Sequence, residues 1–321
     1  MKEKQQLQVG IIGLGAVGER LLRKFHEHRQ TNVKAICDTN KELLLEFSKQ
    51  LDQAATYTDY KEMLADPAID LVYIAVPPTY HHAMAVDVLA AGKHILCEKP
   101  LANSYKEAKE MWELADQANV VHAIHFPLPY SNEVNTFIEK IKSGQIGKIK
   151  RVELSMHFSK WPREWQQNPW IGTREQGGFI REITPHYLQL ILELCGDIES
   201  VASFVDYPSN LEACETGVIA RLQAKDGTVI LIDGLSGIGQ KDDIAFTFYG
   251  EKRVLTLRNW RQLEEQTLDK PSQLLEVESN DHHHLLVTSI VEAIEGKSAK
   301  IISFKEGFAV QKVLEKLLKN G

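Results

Sequence analysis

Cysteine is scarce. Four of the 321 residues are cysteine, at positions 37, 97, 195 and 214, and no two share a CxxC spacing. Cys37 and Cys97 sit inside apolar runs, where a thiol behaves as a small hydrophobe, so reduced thiols in a reducing compartment are expected. No apolar run reaches the roughly 18 residues of a membrane-spanning helix, and the opening MKEKQQLQVG has no apolar core before a small-residue cleavage site. A cytoplasmic location with no membrane partner is the corresponding expectation. Positive charge is outweighed: 37 Lys and Arg face 44 Asp and Glu, a formal charge of −7, which argues against the clustered cations that nucleic acid requires. The chain also lacks an internal repeat, a low-complexity tract and a Pro/Gly/Ser-rich linker.

What is present fits two tightly joined domains. The length exceeds one ordinary core, and 43% hydrophobic with 25% charged residues is ordinary globular composition. Through residue 125, short β-branched runs (LQVGII, VKAICD, DLVYIAV, HILCEK) alternate with amphipathic stretches over 16–28, 40–50 and 80–91. This rhythm predicts a doubly wound, Rossmann-type parallel sheet covered on both faces. From about residue 147 the candidate strands lengthen (GKIKRVELSMHFS, SVASFVDY, ETGVIARLQ, TVILIDGLS, IAFTFYG, KRVLTLR), with helices near 131–142, 183–195, 282–295 and 305–319. Turn signals at Asp226-Gly227 and Gly250 separate the strands, which predicts an α+β domain with a large, mostly antiparallel open sheet. The expected division is 1–125 for dinucleotide binding and 126–321 for substrate binding and oligomerisation. A cleft between them is the expected ligand site.

Between the first strand and helix stands Gly13-Leu14-Gly15-Ala16-Val17-Gly18, a GxGxxG. Gly13 suits a tight turn, Gly15 lets backbone approach a pyrophosphate, and Gly18 permits close helix–strand packing. The helix start at Ala16 and Val17 offers free N–H groups and a partial positive charge to the phosphates. The motif alone is also compatible with a simple turn. Here it follows a strand, opens a helix and precedes Asp38, placed to accept hydrogen bonds from a ribose 2′-OH. A carboxylate there repels a 2′-phosphate and Thr39-Asn40 supplies no Arg, so NAD is expected over NADP.

HILCEKP, residues 94–100, ends an apolar run in Glu98 and Lys99 and stops it with Pro100. Ligands of doubly wound sheets bind beyond the carboxyl ends of the strands, so both charges are expected at the mouth of the site and not in the core. A solvated strand-end pair before a turn is the plainer reading of the heptapeptide. Trp161, Trp165 and Trp170 in WPREWQQNPWIGTREQGG offer faces to sugar C–H surfaces, and Arg163 or Arg174 could bind hydroxyl or carboxylate oxygens; a rim of core or interface tryptophans is the alternative. His282-His283-His284 is read as no metal site, because adjacent helical residues diverge and no ligand cluster accompanies them.

The run VPPTYHHAMAVDVLAAGKHILCEKPLA, residues 76–102, resembles the Gfo/Idh/MocA oxidoreductases, as do SGQIGKIKRVEL at 143–154 and the closing segment from His282. The resemblance implies that Pro77, Pro78, His82 and Glu98 line the cofactor site and that Lys99 is the active-site lysine, often before a cis proline. It also implies that QGGFIREITPHYLQL corresponds to the family's second catalytic segment, with Gly177 and Gly178 matching and His186 at the histidine position. Glu182 stands there for Asp, Thr184 for Gly and Gln189 for Asp. Glu182 and His186 are four apart and so expected on one helix face. His186 is then the acid–base group, Lys99 its electrostatic partner, and Glu182 an orienting group. The family's aromatic–Arg stretch is replaced by HAIHFPLPYSNE, where His125 is a substrate contact or a structural residue. With Trp170 and Arg174, these residues form the expected substrate site. The implied activity is hydride transfer between nicotinamide and a secondary alcohol of a sugar, cyclitol or related polyol, in a homodimer or homotetramer. Two alternatives are an NAD-retaining enzyme without net redox, such as a glycosidase or epimerase, and a non-catalytic dinucleotide-binding sensor.

Overall fold

The computed structural model describes residues 6–51, 53–166 and 168–319. The expectation of no export signal rests in part on residues 1–5, which lie outside the described residues. Contacts divide the chain into two compact units, Met1–Pro127 with Asp281–Phe308, and Leu128–Asn280 with Ala309–Gly321. The first unit is thus discontinuous, a re-entry that the linear division into 1–125 and 126–321 does not include.

The first unit alternates β1 (Leu7–Ile12), α1 (Ala16–Glu27), β2 (Thr31–Cys37), α2 (Lys41–Ser48), β3 (Ala55–Tyr57), α3 (Tyr60–Leu64), β4 (Leu71–Ile74), α4 (His81–Ala90), β5 (His94–Cys97), α5 (Tyr105–Ala118) and β6 (His122–Ile124). The six strands are all parallel, in the order β3-β2-β1-β4-β5-β6. The chain reverses direction across the sheet between β1 and β4, the switch point at which a crevice opens. Every residue of β4, LVYI, is buried, as expected of a strand covered by helices on both faces. Helix starts are specified locally: the Asn40 side chain caps α2, and Ser104 and Glu107 form a reciprocal capping box on α5.

The returning segment supplies α9 (His282–Ile294), which packs on α1. His28 Nε2 lies 3.2 Å from Thr288 Oγ1, Gln30 donates to Glu295 at 3.0 Å, and Lys24 pairs with Asp281 at 3.1 Å. These polar contacts fix where the closing segment docks.

The second unit opens with α6 (Asn132–Lys142) and β7 (Ile149–Phe158), then α7 (Phe179–Glu182) and α8 (Thr184–Cys195). There follow β8 (Ile198–Asp206), β9 (Gly217–Ala224), β10 (Val229–Ser236), β11 (Asp243–Gly250), β12 (Val254–Arg258), β13 (Gln262–Thr267) and β14 (Lys270–Leu274). The eight strands run β14-β13-β12-β11-β7-β10-β9-β8, antiparallel except where β10 meets β7. The last helix, α10 (Phe304–Lys319), begins in the first unit and ends in the second. On the inner face of the sheet Phe137 of α6 packs against Phe246 and Phe248, at ring separations of 5.7 and 5.4 Å. Fully burying one such ring contributes about 1.5–3 kcal/mol. The alternation of the strands leaves Phe204 and Ile219 75% and 65% exposed on the outer face.

Candidate active site

In the first unit the turn after β1 is built for glycine. Gly13 has φ of +94°, and a Cβ there would stand 2.4 Å from the Ala75 carbonyl oxygen. Its N–H donates to Cys37 O at 2.9 Å, which ties the end of β1 to the end of β2. At Gly18 a Cβ would meet the Gly13 carbonyl at 2.0 Å, whereas at Gly15 it would meet nothing within 4 Å. The turn is therefore closed toward the protein and open above Gly15, where a diphosphate would need room. No side chain caps α1, so the N–H groups of Ala16 and Val17 have no side-chain acceptor. Asp38 is held beside the turn: its Oδ2 accepts Leu14 N–H and its Oδ1 accepts Asn40 N–H, both at 2.8 Å. Each carboxylate oxygen keeps a further lone pair for a ribose hydroxyl. These residues fit a dinucleotide.

The carboxyl ends of β4 and β5 are joined by His81, the first residue of α4. His81, fully buried, lies with Nδ1 2.9 Å from Pro100 O and Nε2 2.9 Å from Val76 O. Burial lowers the pKa of this ring, so the neutral form donates to one oxygen while the other contact stays unfilled. It thereby braces the Pro77-Pro78 turn against the Lys99–Pro100 peptide, which is cis. His82, expected at the cofactor, has its Nε2 3.1 Å from Glu110 Oε2 of α5.

The expected placement of Glu98 is corrected. The residue does not stand at the mouth but is buried, 6% exposed, with its carboxylate turned inward. Oε1 accepts from the Tyr73 hydroxyl at 2.5 Å and from His125 Nδ1, while Oε2 faces the Lys99 N–H at 3.3 Å. His125 Nε2 in turn lies 3.3 Å from Nδ1 of His283. Burial pushes the Glu98 carboxyl up, but the charge and hydrogen bond of His125 and the Tyr73 hydroxyl outweigh it and hold the group down to about 2. Burial, then the neighbouring His125, His282 and Arg20 charges, push His283 down to about 3. His125 is therefore engaged on both ring nitrogens, by a carboxylate it anchors and by the returning segment. Of the three consecutive histidines, His282 and His283 do not diverge as expected: their ring centroids lie 4.3 Å apart, His283 also faces His125, and His284 turns toward His28. Buried, with pKa raised to about 12 at positions 37, 195 and 214, the thiols are poor nucleophiles.

In the second unit Gly177 and Gly178 are required by close approach. A Cβ on Gly178, whose φ is +93°, would sit 2.1 Å from Glu215 Oε2, and one on Gly177 2.3 Å from Ile171 O. Glu215 Oε1 accepts Ile180 N–H at 2.7 Å and so anchors α7. Glu182 and His186 do not share one helix. Glu182 ends α7, the backbone breaks at Ile183, and His186 lies in the first turn of α8, its N–H donating to Ile183 O at 3.2 Å. Pro185 is the cause: with no N–H it cannot bond the Arg181 carbonyl. The His186 ring, 9% exposed, stands perpendicular to Trp260 at 5.3 Å.

Trp170 lies in a short 3₁₀ turn, Pro169–Gly172, and its carbonyl accepts from Thr173. Arg174 is stacked on Tyr207, its guanidinium 3.6 Å from the ring centroid. Arg163 instead packs against Phe158, Trp161 and Trp165, oriented by Gln166. Burial lowers its pKa against the raising charges of Asp242 and Glu182.

The six-stranded order and the Gly13 cradle define an α/β dinucleotide-binding protein. Residues 7–126 match the family model described as "Oxidoreductase family, NAD-binding Rossmann fold", and residues 134–256 match the "GFO/IDH/MocA C-terminal domain". The chain belongs to the Gfo/Idh/MocA oxidoreductase family, and its first unit is an NAD-binding Rossmann domain. An uncharacterized oxidoreductase of Schizosaccharomyces pombe is 33% identical over 148 residues, covering 46% of this chain and 40% of that one. The matched stretches span between 39% and 55% of the first curated relatives. Among solved structures, a putative NADPH-dependent oxidoreductase from Desulfitobacterium hafniense has a TM-score of 0.88 at 17% identity, covering 98% of this chain and 95% of that one. A levoglucosan dehydrogenase in complex with NADH has a TM-score of 0.87 at 20% identity, covering 98% and 97%. At these identities the structures establish the fold.

Proposed function

We propose that the protein is an NAD-dependent oxidoreductase that transfers a hydride between nicotinamide and a secondary alcohol of a small polyhydroxylated molecule, a sugar or cyclitol. The observation that carries this reading is the strand-end frame around Lys99: the lysine follows β5 on the sheet's carboxyl edge, its N–H faces a buried, ionised Glu98, and His81 braces the adjoining proline. Gly13, Gly15 and Gly18, the N–H groups at Ala16 and Val17, and Asp38 would hold the dinucleotide. When bound, it supplies the hydride acceptor. His186 takes the hydroxyl proton at a ring nitrogen, for which imidazole is suited near neutral pH. The Lys99 ammonium stabilises the negative charge that develops on the same oxygen. Glu182 orients the substrate, and Trp170 and Arg174 belong to its surroundings. Asp38 favours NAD, because a carboxylate repels a 2′-phosphate. The exposed Phe204 and Ile219 face is where a second copy would pack in a homodimer or homotetramer.

The test is a panel of sugars, inositols and their keto forms, assayed with NAD(H) and NADP(H) by absorbance of the reduced cofactor. Turnover of at least one polyol, with NAD preferred, is expected. Failure of the protein to bind either dinucleotide would overturn the reading, and a clear NADP preference would overturn the role given to Asp38.

A further inference from the structure

β12 and β13 are joined by a tight turn in which two consecutive non-glycine residues, Asn259 and Trp260, have φ of +47° and +74°. Asparagine tolerates the left-handed region because its short side chain bonds locally, whereas a bulky residue there is strained. Such a conformation persists only where its surroundings over-determine it, and such positions cluster at functional sites.

The surroundings of this turn do so. Asn259 N–H donates to Ile244 O at 2.8 Å, and its Oδ1 accepts Ile244 N–H at 2.9 Å. Arg258 grips Asp243 through both carboxylate oxygens, at 2.8 and 2.6 Å, and reaches Glu264 at 3.2 Å. The turn is thus pinned to the start of β11 on one side and to β13 on the other. What this holds in place is the indole, which lies across His186 at 5.3 Å and 89° and beside Tyr187 at 5.3 Å and 31°. Tyr187 is fully buried and packs in turn on Phe246 of the core, at 5.2 Å. A glycine would relieve the backbone at 260 but would leave one side of the imidazole without its aromatic wall.

We propose that Trp260 is a positioning residue for His186: the strained turn is retained because the indole holds the imidazole in one orientation, and a fixed orientation keeps the hydrogen bonding that selects one tautomer. The inference rests on the reading of His186 as the acid–base group. The opposing ring restricts rotation about the His186 side-chain bonds and keeps water from that side, so the same nitrogen remains presented for proton transfer. A catalytic group needs such support from neighbours that do not themselves react.

The test uses the full-length protein labelled with ¹⁵N in its histidine rings, and needs no substrate. The His186 resonances are those missing from the spectrum of His186→Asn. In the wild type the two ring nitrogens are expected to differ widely in chemical shift, as for one tautomer. In Trp260→Gly that separation should fall by half or more as tautomers and orientations average, and Trp260→Phe should restore most of it. Trp260→Leu is measured in parallel and carries the same expectation, so that a glycine variant too unstable to examine does not end the test. Circular dichroism reports which variants are folded. An unchanged separation in a folded Gly or Leu variant overturns the proposal. Failure of the base assignment reads separately: His186→Asn would then turn over as fast as the wild type while the Trp260 effect on the ring persisted.

Discussion

Glu98 is the perturbation whose size can be worked out most fully. Its carboxylate is buried, accepts from Tyr73 and His125, and faces the Lys99 N–H. Removal in Glu98→Ala leaves the His125 ring and the Tyr73 hydroxyl buried without their acceptor. Breaking a buried pair from one side costs about 3–5 kcal/mol. A second route gives a similar figure: lowering of the carboxyl from 4.5 to about 2 corresponds to about 3 kcal/mol of linkage. Because the folded pKa lies below the unfolded one, this stability is present above pH 4.5 and is lost as pH falls toward 2. Glu98→Gln keeps an acceptor but not the charge, and should cost about 1–3 kcal/mol, the range for a compromised buried hydrogen bond. Urea unfolding at pH 7 and pH 3, followed by far-ultraviolet circular dichroism, reads both variants. The difference between wild type and Glu98→Ala should shrink at pH 3. A loss under about 1 kcal/mol at pH 7, or a difference independent of pH, would refute the reasoning.

Three further outcomes follow from the same geometry. Gly13→Ala places a Cβ 2.4 Å from Ala75 O at a φ of +94°, so it should destabilise by at least about 1–3 kcal/mol and weaken NADH binding, read by thermal melting and by cofactor fluorescence. Asp38→Ala removes the acceptor of the Leu14 and Asn40 N–H groups as well as the carboxylate proposed to meet the ribose; NADH affinity should fall about tenfold or more while NADPH affinity falls less, by titration of each. Gly178→Ala drives a Cβ into Glu215 Oε2 at 2.1 Å and should displace the carboxylate that anchors Ile180, with a loss of about 2–4 kcal/mol in urea unfolding.

The parallel sheet was legible because its strands are buried on both faces: LQVGII, DLVYIAV and HILCEK need no partner to announce themselves. The glycine cradle was legible for a similar reason, since the constraint on Gly13 and Gly18 is local and steric. β13 and β14, QLEEQT and KPSQL, left no such trace, because both are mostly polar: β14 is an exposed edge strand, and β13 beside it buries only Leu263, so their hydrogen bonds come from neighbours that the local sequence does not announce. Contacts from distant segments were equally hidden. The docking of 281–308 on the first unit depends on Thr288, Glu295 and Asp281 meeting residues more than 250 positions away. Glu98 turns inward because Tyr73 and His125 wait behind it, which no inspection of HILCEKP could reveal. The choice between His81 and His82 is set by which ring the start of α4 aims at two carbonyls. Only the helix break at Ile183 could have been read directly, from the missing N–H of Pro185.

The proposed action of Lys99 and His186 on one oxygen of the substrate is open to a double-variant cycle. With a polyol oxidised in the panel, Lys99→Ala and His186→Ala should each lower kcat by about 10²–10⁴-fold while NADH binding persists. If both groups serve the same proton and charge transfer, the double variant should fall little below the slower single one. Near-wild-type turnover in either single variant, or losses that multiply in full, would contradict the account.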